Sequence, residues 1–144
     1  MSDIPLPAVY RTFEHTADTG LIICGKTLKE LFAHGGFALF DFMADLSLVR
    51  KRIRREISLS CFDREELFVR WLSELLYLHE AEHLLLCRFS VLSVRGGKLI
   101  ALAEGESYKG ERHRIHTLVK AVTYHGMEIA KRNGLWEARV ILDL

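Results

Sequence analysis

The chain has 144 residues, 49% of them hydrophobic and 27% charged, which suits one domain spanning 1–144 with a single core. Twenty Lys and Arg against nineteen Asp and Glu leave a net charge of +1. That balance excludes a molecule that holds nucleic acid by its overall charge, because such binding draws on many phosphate contacts from a basic face. Two prolines and no Ser/Gly/Pro-rich stretch argue against linkers and disorder, and no run approaches the ~18 apolar residues of a membrane span.

The N-terminus, Met1-Ser2-Asp3-Ile4-Pro5, lacks the basic-then-apolar pattern of a secretory signal. Residues 10–25 read as an extended piece, a turn at His15-Thr16-Ala17-Asp18 and a short strand, Leu21-Ile22-Ile23-Cys24, closed by Gly25. From composition alone the turn is an Asx-type turn, with Asp18 bonding nearby backbone N–H groups. Thr27-Leu28-Lys29-Glu30 has capping-box form, and Leu28, Leu31, Phe32, Leu39, Phe40 and Met43 follow at helical spacing through about residue 44.

Residues 50–61 alternate. Ile53, Ile57, Leu59 and Cys61 share one face, and Arg52, Arg54, Glu56 and Ser58 the other, as in a half-buried strand. The basic run Arg50-Lys51-Arg52-Ile53-Arg54-Arg55 reads first as a solvated strand face and second as a docking patch for an acidic partner or RNA backbone. Asp63 then caps an amphipathic helix carrying Leu67, Phe68, Trp71, Leu72, Leu75 and Leu76, predicted to reach about 79–81.

His79-Glu80-Ala81-Glu82-His83 matches H-E-x-x-H, which on a helix places two imidazoles on one face for zinc with the Glu as general base. A zinc hydrolase using His79, Glu80 and His83 is therefore the alternative enzyme reading. It is outweighed by a polar surface helix end, because the match falls where the helix should stop. The metzincin extension would also need glycine at Leu86 and histidine at Phe89.

Residues 85–95 and 98–108 read as strands around Gly96-Gly97, and 118–131 and 135–143 as strands around Asn133-Gly134. Between the hairpins a polar loop carries Lys109 to His116, with His113 and His116 in solvent. In Lys120-Ala121-Val122-Thr123-Tyr124-His125-Gly126, strand alternation points Lys120, Val122 and Tyr124 one way and Ala121, Thr123 and His125 the other. Cys24, Cys61 and Cys87 are far apart in apolar surroundings with no C-x-x-C, which reads as a reduced, cytosolic protein. The order β-α-β-α followed by two hairpins gives an α+β domain, two helices packed on one face of a mostly antiparallel sheet. The last residues stand out: an apolar strand runs straight into Asp143-Leu144, placing a side-chain carboxylate beside the terminal one, a pair suited to a divalent cation.

His15-Thr16-Ala17-Asp18-x-Gly20, the Thr-Leu-x-Glu-Leu-Phe helix start at 27–32, the Leu-rich second helix, Val119-Lys120-Ala121-Val122-Thr123-Tyr124-His125-Gly126-Met127 and the Asp-Leu end together resemble the archease family over residues 10–144. The resemblance implies a small cytoplasmic, non-enzymatic accessory protein that activates an RtcB-type RNA ligase. It would promote guanylylation and turnover of the ligase in tRNA splicing and RNA repair, and meet RNA only through it, with no DNA or membrane partner. An older proposal for the family is a chaperone-like role towards tRNA-modifying enzymes. The resemblance also implies a divalent metal site, Ca²⁺ or Mg²⁺, on Asp18, Asp143 and Leu144, the last through a backbone or terminal carboxylate oxygen. It further implies partner or activation roles for Lys120 and His15. Thr19 departs from the family, which has an aliphatic residue there, and Leu144 replaces a terminal Ile.

Overall fold

The computed structural model describes residues 9–15 and 18–144, with His15 described by its backbone alone. Among the described residues, seven strands and two α-helices follow in the order β1 (Tyr10–His15), β2 (Asp18–Gly25), α1 (Leu28–Met43), β3 (Ile53–Ser60), α2 (Arg64–Glu82), β4 (Leu84–Arg95), β5 (Lys98–Ser107), β6 (Ala121–Arg132) and β7 (Leu135–Asp143). The α+β class is as the sequence predicts. The extended piece at residue 10 is itself a strand, paired antiparallel with β2.

The strands form two sheets, where the sequence suggested one. One has the order β1-β2-β7-β6 and the other β3-β5-β4. Every pairing is antiparallel. Both helices touch both sheets, and one contiguous apolar cluster runs through all of them. Periodicity identifies each strand and each hairpin, but the choice of a hairpin's further neighbour is long-range and leaves no local mark.

The caps work as their residue types demand. Thr27 accepts the Glu30 N–H at 3.1 Å, and the Glu30 carboxylate reaches back to the Lys26 N–H at 2.8 Å. Asp63 accepts the Glu66 N–H at 2.7 Å at the start of α2. The helices are locked together by Trp71, wholly buried, whose indole N–H donates to the Phe32 carbonyl of α1 at 2.7 Å. Both hairpin turns have positive φ at their two central residues: Gly96 and Gly97 at 60° and 75°, Asn133 and Gly134 at 51° and 80°. Cys24, Cys61 and Cys87 are free and partly buried, and burial pushes each thiol pKa up.

The largest correction concerns the loop after β5. His113 is not in solvent. It is 4% exposed, and its Nδ1 accepts the Lys109 N–H at 2.9 Å. That contact leaves the proton on Nε2, which donates to Glu106 at 2.9 Å. Glu106, 3% exposed, also accepts the Arg50 backbone N–H at 2.8 Å and an Arg112 guanidinium N–H, with Arg52 at 3.7 Å. Burial raises the Glu106 pKa, but the Arg50 N–H, His113 and Arg112 outweigh it and hold the pKa at about 2. The far side of the loop is stitched to the end of α1. His116 and Thr117 donate to the Met43 carbonyl, and Asp45 donates to the Arg114 carbonyl. A polar-looking segment is thus ordered on both sides, while His116 stays exposed.

Two expectations follow. A Cβ at Gly105 would stand 1.8 Å from the Leu85 carbonyl oxygen across the β4–β5 pairing. Gly105→Ala should therefore cost about 1–3 kcal/mol in urea unfolding, more if the strands cannot part. Glu106 has a folded pKa below its unfolded one, so its contribution is complete above about pH 4.5 and lost as pH falls towards about 2. The urea midpoint should drop across that window in the parent protein. In Glu106→Gln it should be lower by roughly 3 kcal/mol at pH 7 and flatter in acid.

Candidate metal centre

Asp18 opens β2 and Asp143 ends β7, and these two strands are neighbours at the centre of their sheet. Their register pairs Thr19 with Leu142 and continues to Gly25 with Trp136. Asp18 and Asp143 are each the next residue beyond that first pair, so their backbones lie at the same end of the two strands. The strands are held firmly there, since Leu21, Ile23, Val140 and Leu142 are almost wholly buried.

The other residues singled out from the sequence gather at this end. His15 is the β1 partner of Asp18 in the first hairpin. Thr16 and Ala17 of the expected turn lie outside the described residues, so the Asx-turn reading of Asp18 does too. Lys120 precedes β6, and its backbone N–H donates to the Asp143 carbonyl at 2.8 Å. That bond, with the Ala121–Asp143 pair, ties the end of β7 on its second side. Leu144 is half-buried against the core, Asp18 is half-buried and Asp143 is exposed.

The ligands that the family resemblance names here are oxygens: the carboxylates of Asp18 and Asp143 and a backbone oxygen of Leu144. Hard divalent cations such as Ca²⁺ and Mg²⁺ take such ligands. Among the described residues no three His, Cys, Asp or Glu side chains cluster closely enough to hold a metal. Two carboxylates alone are an incomplete shell, and backbone oxygen and water would complete it, as Mg²⁺ and Ca²⁺ sites commonly allow.

The H-E-x-x-H match is not carried on one continuous helix. α2 runs through Glu82, but His83 leaves it as the C-cap with φ 57°, its N–H on the Leu78 carbonyl. His79 stays in the helix, where its Nδ1–H donates to the Leu84 carbonyl at 2.9 Å and its ring meets Phe40 edge-on at 6.1 Å. The two imidazoles therefore stand on backbone of opposite hand.

Strand alternation also fails in β6. Between the pairs Thr123–Ile141 and Glu128–Arg139, residues 124–127 face Val140 alone. Gly126 adopts φ 72° inside this bulge, an angle glycine takes without penalty. Tyr124 is 53% exposed, and its hydroxyl is 3.4 Å from the Asp63 carboxylate that caps α2. Lys120, Val122 and Tyr124 thus have different surroundings, with Val122 buried and the other two exposed. A glycine inside a strand pattern was the available sign of the bulge. No comparable sign marked Glu106, whose Arg112 and His113 partners lie six and seven residues on and whose Arg50 and Arg52 contacts lie more than fifty residues back.

Among the described residues no helix is long and apolar enough to cross a membrane. The Archease protein family model matches residues 10–144. The protein archease of Methanosarcina mazei is 39% identical over 139 residues, covering 94% of this chain and 95% of the relative. That of Methanothermobacter thermautotrophicus is 41% identical over 138 residues, covering 94% and 98%. The solution structure of Methanobacterium thermoautotrophicum protein 1598 superposes with a TM-score of 0.82 at 39% identity, covering 94% of this chain and 99% of that one. The 2.0 Å crystal structure of a Thermotoga maritima archease, described as a possible chaperone, shares the fold with a TM-score of 0.61 at 19% identity, covering 93% and 96%. With its two helices packed on antiparallel sheets and this match along nearly its whole length, the chain belongs to the archease family.

Proposed function

We propose that this protein is a non-enzymatic accessory factor that activates an RtcB-type RNA ligase, promoting its guanylylation and multiple turnover in tRNA splicing and RNA repair. In this reading Asp18 and Asp143, with a backbone or terminal oxygen of Leu144, hold Ca²⁺ or Mg²⁺. The observation that supports it is the β2–β7 pairing, which brings the start of β2, where Asp18 stands, beside the end of β7, where Asp143 stands, in a chain of this family. A divalent cation there would supply a fixed positive charge at the edge of the molecule.

Around that position this chain's own residues have separable tasks. Asp18 and Asp143 bring negative charge on rigid strands, so little ordering is left to do when a cation arrives. The Lys120 backbone N–H fixes the carbonyl of Asp143, while its ammonium is exposed and free to meet a phosphate or acidic group of the ligase complex. His15, across the first hairpin from Asp18, belongs to the same partner-facing end. RNA is met through the ligase, in keeping with a net charge of only +1.

A chaperone-like role towards tRNA-modifying enzymes is the second reading, favoured by the description of the Thermotoga relative as a possible chaperone. The two readings divide on turnover. In multiple-turnover ligation with the cognate ligase, the parent protein should stimulate strongly. Asp18→Ala and Asp143→Ala should abolish stimulation while melting within a few degrees of the parent. Full stimulation by both variants, with their sites shown metal-free, sinks the proposed mechanism. Client stabilisation without stimulation transfers support to the chaperone.

Metal binding gives a second expectation. Calorimetric titration with Ca²⁺ and Mg²⁺ should show one site per chain. Asp18→Asn and Asp143→Asn should each weaken it by roughly tenfold or more, the loss of one charged ligand. Stoichiometric zinc after chelator-free purification, lost in His79→Ala, would instead revive the hydrolase.

A further inference from the structure

Between the last turn of α2 and the segment leading into β6 lies a cavity of about 390 Å³, within the size range of small-molecule sites. Tyr108 and Leu118 line it, and both leave large apolar surface in solvent, at 41% and 69% exposure. Lys120, His79 and His83 face the same space, against one carboxylate, Glu80. Among the described residues no carboxylate stands within 4.0 Å of the Lys120 ammonium.

The two histidines are anchored differently. The Leu84 carbonyl can only accept, so His79 presents its proton there on Nδ1 and leaves Nε2 as an acceptor. His83 occupies a left-handed cap that glycine or asparagine fills with less strain, and its carbonyl is pinned by the Tyr108 N–H at 2.7 Å. The cavity therefore combines an apolar wall with two nitrogen groups that can donate to one anion, the Lys120 ammonium and the His83 imidazole. The negative end of α2 also turns towards this side, so an anion here must be held by side chains and not by the helix.

We propose that this cavity binds a phosphate monoester with a compact aromatic or aliphatic body. The body lies against Tyr108 and Leu118, and the phosphate takes Lys120 and His83. Because the Lys120 N–H also holds the Asp143 carbonyl at 2.8 Å, a ligand at Lys120 bears on the end of β7. The inference rests on the cavity and not on ligase activation, so either can fail while the other stands.

The test is a titration of ¹⁵N-labelled full chain with phenyl phosphate, with inorganic phosphate and phenol as separate arms. Phenyl phosphate should give saturable amide shifts centred on residues 79–83, 108 and 118–120, and bind at least tenfold more tightly than either fragment. Lys120→Gln, which keeps the backbone bond to Asp143, should weaken it about tenfold, the loss of a charge-assisted hydrogen bond. Leu118→Asp, at an exposed position, should abolish it with the parent spectrum otherwise retained. Absence of saturable shifts, equal binding of inorganic phosphate, or affinity unchanged in both variants overturns the proposal.

Discussion

The pairing of β2 with β7 is the constraint on which the rest of this structure depends. It joins residues 19–25 to residues 136–142, closing almost the whole chain into one loop. Such closure costs entropy that grows only slowly with loop length, and the return is a pair of central strands packed with Leu21, Ile23, Ala138, Val140 and Leu142. The side-chain period of a strand is two, so a slip of one residue would turn that set to solvent. Burial therefore fixes the register, and the register in turn places Asp18 beside Asp143. The geometry of the candidate metal centre is a by-product of core packing, decided by residues that never touch a cation.

A second constraint acts on the connection between the sheets. Glu106 ends β5 buried among the Arg50 N–H, Arg52, Arg112 and His113, and the segment after it runs back over the end of α1. Burying a carboxylate is expensive unless its lone pairs are met, and here several donors meet them. This network sets where residues 108–120 lie. It fixes Tyr108, whose ring stacks on His113 with centroids 6.0 Å apart, and through the loop it delivers Lys120 to the end of β7. The β2–β7 register and the Glu106 network thus converge on one end of the molecule from independent directions.

The sequence was legible where chemistry is local. The Thr27 and Asp63 caps, the apolar faces of both helices and the two glycine turns stand where residue type and spacing put them, because each depends on neighbours within four or five positions. The H-E-x-x-H match was discounted on similarly local grounds, a helix about to end, and the left-handed backbone of His83 is the physical form of that ending. Reading failed where a partner is distant. The loop of His113 looked solvated because Glu106 and the cations that bury it are scattered between residues 50 and 113. The alternation from Lys120 and Val122 breaks at Tyr124, because four residues of β6 are fitted there against one of β7, a mismatch no single strand reveals.

By itself, then, the sequence determined the elements, the α+β class and the family, through the residues His15 to Gly20, Val119 to Met127 and the Asp-Leu end. These follow from periodicities and motifs contained in short stretches of chain. Only the tertiary structure decided that the strands divide into two sheets with both helices in contact with each. It alone brought the start of β2 beside the end of β7, and placed Lys120 at once against the end of β7 and in a cavity with His79 and His83. Those outcomes are choices among long-range pairings, which depend on how the whole chain buries its apolar surface and pairs its buried polar groups.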